Sequence, residues 1–100
     1  MPVQRLRIGD FDPSIPGGYD NVRSIPIQVK KGRSLLVRVE SDSPVDVALS
    51  DAGGAVLKFE EGMRSGTLGP FPFEDKGTAV IMLGVYRGDK ADVELEAWVE

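Results

Sequence analysis

The residues able to do chemistry are few, and most of them sit where turns are expected. Asp10, Asp12, Asp20 and Asn21 fall in one stretch, with Asp10 and Asp12 at alternate positions. Oxygen-rich loops bind calcium, but such a site needs about six to eight oxygen ligands. The stretch lacks the ordered ligand positions and the closing Glu of an EF-hand loop, and Pro13, Pro16 and Gly17-Gly18 are ordinary turn residues. A solvated loop is the expected role of Asp10, Asp12 and Asp20. Arg87-Gly88-Asp89 is a tripeptide that integrin ligands display, yet Gly and Asp are preferred in any hairpin turn, and chance accounts for it. The pairs Glu60-Glu61 and Glu74-Asp75 resemble the acid and base of a glycosidase in type only, because adjacent residues on a strand point to opposite faces. The chain has no Cys and no His, which removes disulfides, thiolate chemistry, the usual general base and the commonest metal ligand. Neither an enzyme nor a cofactor or metal site is expected.

Pro70-Phe71-Pro72-Phe73 carries a different kind of information. Alternation sets both prolines on one side and both rings on the other. The favoured reading has Phe71 and Phe73 plugging the core while the prolines protect an edge strand from pairing. The rival reading has the rings on a mobile loop, anchoring a partner.

These residues need a scaffold, and 100 residues supply one domain, 1–100, with a single modest core. Apolar residues make up 41% and charged residues 28%, which suits a folded globular chain rather than a disordered one. No apolar run reaches the length that spans a bilayer, and Met1-Pro2-Val3-Gln4-Arg5 has no long apolar signal region, so a soluble chain is expected with no compartment indicated. Residues 1–40 hold seven Lys/Arg against four Asp/Glu, and residues 41–100 hold five against twelve. The basic residues are too few for a nucleic-acid surface; Arg5 and Arg7 are expected to pair with acidic strands from the other half.

Short alternating runs cut by Gly, Pro and Asp predict an all-β chain, a single antiparallel β-sandwich of seven to eight short strands, jelly-roll or Ig-like. Strands are expected over 3–8, 22–29, 35–40, 45–50, 55–60, 78–86 and 91–99, with long connections over 9–21 and 61–77. Pro26 marks the second strand as an edge or a bulge. Asp51-Ala52-Gly53-Gly54 is a strong hairpin turn, with Leu57 and Phe59 expected inward beyond it.

Lys31-Gly32-Arg33-Ser34-Leu35-Leu36-Val37-Arg38-Val39, Val45-Asp46-Val47-Ala48-Leu49-Ser50-Asp51-Ala52-Gly53-Gly54, Gly77-Thr78-Ala79-Val80-Ile81 and Ala91-Asp92-Val93-Glu94-Leu95 form a succession of glycine turn, strand, Asp-x-x-Gly hairpin and late hairpin. Over residues 25–100 this succession resembles the GOLD and pre-peptidase C-terminal type of β-sandwich. The resemblance implies a non-catalytic adaptor or accessory domain and carries over no functional residue. The aromatic Asp-Leu-Tyr-Leu pattern of the second family is replaced by Val45-Asp46-Val47-Ala48-Leu49.

The last two strands, read as a hairpin about Arg87-Gly88-Asp89-Lys90, hold the strongest functional signal. Residues 78–86 are apolar on both parities, whereas 91–99 alternate strictly. A two-residue turn leaves Ile81, Leu83 and Val85 outside beside Trp98; a three-residue turn leaves Val80, Met82 and Tyr86 there. Either register puts apolar side chains and the only tryptophan on an outer face with a stripe of carboxylates. That face is covered either by the chain itself, through the N-terminal strand or 61–77, or by a partner. The expected function is a non-catalytic protein-interaction or assembly module using this outer face, with Trp98, Ile81, Met82, Tyr86, Phe71 and Phe73 as the interaction residues. Its expected partner is a protein, a second copy included, and neither nucleic acid nor membrane. The alternatives are a virion or surface-layer accessory protein, and a calcium- or carbohydrate-binding accessory module.

Overall fold

A computed structural model describes residues 3–100. These residues form no helix and six antiparallel strands: β1 (Gln4–Ile8), β2 (Val22–Val29), β3 (Ser34–Ser50), β4 (Val56–Pro72), β5 (Gly77–Gly84) and β6 (Ala91–Val99). They join one curled sheet in the order β1-β6-β3-β5-β2, and β4 lies along the other edge of β3.

The count is six rather than seven or eight, and β3 explains the difference. Leu35, Val37 and Val39 stand an even number of residues from Val45, Val47 and Leu49, so one face of the strand stays buried through the bend between them. The bend occupies Ser41–Pro44, where the Ser41 hydroxyl donates to the Ser43 carbonyl at 2.6 Å. Along one edge, β3 pairs with β6 over Leu35–Ser41 and with β5 over Asp46–Ser50. Pro44 falls in the gap between the two ladders, where its missing N–H costs no hydrogen bond. A strand of 17 residues thus has room for two successive neighbours.

β4 follows β3 along its whole other edge, so the expected connection 61–77 is strand from its start as far as Pro72. The glycines that suggested a loop instead bend an edge strand around its partner. At Gly69, φ is +110° and an added Cβ would lie 2.6 Å from the Leu35 carbonyl oxygen. Phe71 stands opposite Leu35 and packs with Phe73 against the core, while Pro70 and Pro72 point to solvent. The plug reading of this motif agrees with these positions.

The last two strands are not a hairpin. β5 lies between β2 and β3, β6 lies between β1 and β3, and the late hairpin implied by the family resemblance is absent among the described strands. A turn built from Arg87-Gly88-Asp89-Lys90 serves a crossing between two parts of a sheet as well as a hairpin. The curl brings Ile25, Ile27, Val29, Ala79, Ile81 and Leu83 into one buried cluster with Ile8, Val93, Leu95 and Ala97. Pro26 lies on β2, which among the described strands pairs with β5 alone, as its lack of a donor suggested.

Candidate functional site

The outer surface of the sheet has two stretches of opposite character, both fixed by register. Over β1, β6 and the first half of β3, the rows read Arg7–Asp92, Arg5–Glu94–Glu40, Glu96–Arg38 and Trp98–Leu36. Arg7 Nη1 lies 2.6 Å from Asp92 Oδ2, and Arg38 stands 3.6 Å from Glu94 and 3.9 Å from both Glu40 and Glu96. Hydrogen bonds to Asp92 and then Asp10 hold the Arg7 guanidinium above its ordinary pKa. The N-terminal strand meets the carboxylates of β6 by extending the sheet beside them. It does not fold over the face: Arg7 meets Asp92, and Arg5 stands opposite Glu94 in the register.

Trp98 belongs to this charged stretch. It is half-buried beside Leu36, and its indole N–H donates to Glu100 Oε1 at 3.3 Å. It also lines a groove of about 610 Å³ with Gln4, Pro26, Gln28, Lys30 and Val99.

Over β2, β5, the second half of β3 and the first half of β4, the rows are Val22–Gly84–Asp46, Ser24–Met82–Ala48–Phe59 and Pro26–Val80–Ser50–Val56. No charged side chain interrupts the second and third rows. Exposure rises toward the rims, as on a bare sheet face: Val80 and Met82 are half-buried, whereas Val22, Val56 and Phe59 are 65%, 61% and 56% exposed. Phe59 was expected inward, but Ala48 is its register partner and Lys58 stands opposite Leu49, so the ring points out. The register slips between Leu49 and Ser50, and Leu57 at the slip is 42% exposed. The turn before it is as expected, with Asp51 Oδ1 accepting the N–H groups of Gly53 and Ala55 at 2.9 Å each.

The expected interaction residues therefore scatter. Ile81 is fully buried and belongs to the core, because β5 turns Ala79, Ile81 and Leu83 inward. Met82 lies at the centre of the apolar face; Tyr86, 71% exposed, stands in the turn beyond its end. Trp98 is on the charged stretch, and Phe71 and Phe73 pack on the core. Val22, Val56 and Phe59 were missed. The alternating parity of 22–29 and the opposite charges flanking Phe59 in Lys58-Phe59-Glu60 were the available signals.

The 9–21 loop uses up its carboxylates. Asp12 Oδ1 accepts the Ser14 hydroxyl at 2.7 Å and the Ser14 N–H at 2.9 Å, which hold its pKa below the usual carboxylate value. Asp20 accepts the Gly9 N–H at 2.8 Å and pairs with Arg23 at 2.7 Å. Asp10 lies 3.3 Å from Arg7 and 3.7 Å from Lys90. No group of three or more acidic side chains is placed to hold a metal ion among the described residues. Phe11 and Tyr19 meet edge to face at 5.5 Å, and the Arg87 guanidinium lies 5.1 Å over the Tyr19 ring, so the Arg87-Gly88-Asp89 turn is seated on this loop. Gly9 makes that contact feasible, because an added Cβ would collide with the Asp89 carbonyl oxygen.

No helix among the described residues is long and apolar enough to cross a membrane. The chain matches no family model and no curated protein.

Proposed function

We propose that the chain is a non-catalytic protein-interaction or assembly module that docks through the outer face of β2, β5, the second half of β3 and the first half of β4. One observation carries this reading: two uncharged rows run unbroken across four strands and end in exposed Val56 and Phe59. Contiguous apolar surface rimmed by polar groups marks interaction sites, whereas scattered single hydrophobes do not. Burying a ring such as Phe59 contributes about 1.5–3 kcal/mol, enough to anchor a small interface. The resemblance to GOLD and pre-peptidase C-terminal domains supports an accessory role. The curl that gathers β2–β5 and β1–β6 around one core supports reading the sheet as a β-sandwich.

The test is a pair of variants on opposite stretches. Met82→Lys keeps the thermal midpoint within a few degrees of the wild-type chain and abolishes its protein association, whereas Trp98→Ala leaves association intact. Loss of association in Trp98→Ala but not in Met82→Lys would assign docking to the charged stretch and overturn the proposal.

A further inference from the structure

The apolar face ends on a free strand edge, and the residues along that edge are complementary to themselves. Among the described strands β4 pairs with β3 alone, so the outer edge of Val56–Glu61 has backbone groups with no strand partner. The register is regular over Lys58, Phe59 and Glu60, which stand opposite Leu49, Ala48 and Val47, with irregularities on both sides. Lys58 and Glu60 share one face, 3.1 Å apart and each 43% exposed, and Phe59 projects from the other.

We propose that this edge pairs with the same edge of a second copy, antiparallel about a two-fold axis at Phe59. The inference rests on the docking reading above and extends its face: the second copy lengthens that face without covering it. In this register Phe59 faces Phe59 of the second copy, Lys58 faces its Glu60, and Glu60 faces its Lys58. A shift that sets Lys58 against Lys58, or Glu60 against Glu60, opposes like charges. A slip by one residue turns the second copy's apolar face to the opposite side. A charge on an edge strand ordinarily keeps copies apart; here the alternation of sign leaves one register open. The row Ser24–Met82–Ala48–Phe59 then continues into its own symmetry mate, and the two faces become one isologous surface. The regular stretch is short, flanked by bulges, so the dimer is transient.

The experiment measures mass in solution across the micromolar to millimolar range. Wild-type chain shifts toward dimer as concentration rises; Lys58→Glu and Glu60→Lys each stay monomeric; an equimolar mixture of the two recovers dimer mass. Their intramolecular pair is lost in both variants, so recovery on mixing reports contacts between copies. Wild-type chain that stays monomeric at millimolar concentration overturns the inference, as does a mixture that fails to associate. A dimer that survives both charge variants but is lost in Met82→Lys overturns the edge register while leaving the apolar docking face standing.

Discussion

The two outer stretches of the sheet share β3, share a core and differ almost completely in what they offer a neighbour. On the stretch over β6, arginines and carboxylates satisfy one another in rows, with Arg7 on Asp92 and Arg38 among Glu40, Glu94 and Glu96. On the stretch over β5, Val80, Met82 and Ala48 lead outward to exposed Val22, Val56 and Phe59. The first is a solvated surface, because Arg7 and Arg38 already have carboxylate partners and stay partly exposed. The second is mostly apolar, with Ser24 and Ser50 the polar members of its two uncharged rows. Alternation alone builds both, since each rests on the same buried parity of β3.

Breaking that shared core gives the largest effect. Ile81→Ala is expected to cost about 2–5 kcal/mol in urea unfolding, and Ile81→Lys more, because the residue is fully buried. Met82→Lys, one position along the same strand, is expected to stay within about 1 kcal/mol of the parent. Equal losses at the two positions would erase the distinction between inside and outside on β5. Next in size is Gly9→Ala. It forces a side chain against the Asp89 carbonyl at a φ of +95° and is expected to cost about 1–3 kcal/mol. Faster hydrogen exchange at Gly9 and in the 87–90 turn is the readout.

The charged stretch is expected to respond weakly. Arg38→Met changes stability by no more than about 1 kcal/mol, since its pairs are long and partly exposed, and it reduces the dependence of the melting temperature on salt. The smallest effect concerns Asp12, whose pKa is lowered by the hydroxyl and N–H of Ser14. A lowered folded-state pKa means a contribution present above the ordinary carboxylate pKa and lost as pH falls through the folded one. An acid titration followed at the Ser14 amide is expected to show the loop loosening only below the usual carboxylate range, and Asp12→Asn to remove that step.

Which residues face inward was legible wherever alternation was clean: Leu35 to Val39, Val45 to Leu49, and Val93 to Ala97. Pro26 announced an edge, and Asp51-Ala52-Gly53-Gly54 announced a hairpin, each through a backbone property of the residue itself. What alternation does not encode is adjacency. A crossing turn and a hairpin turn use the same Gly and Asp, so β5 and β6 read as neighbours although β3 separates them. The glycines of β4 read as loop because an edge strand that bends around its partner needs the same conformations as a loop. Phe59 was misplaced for a related reason: the register slip beside Leu57 reverses parity, and nothing in residue type marks it.

An amide chemical-shift map recorded from micromolar to millimolar protein tests most directly whether the apolar stretch continues into a second copy across β4. The predicted map shows concentration-dependent shifts confined to 56–61 and to Val47, Ala48 and Leu49, which back that edge. A map that does not change, or one whose changes fall on Arg38, Glu94, Glu96 and Trp98, would contradict it.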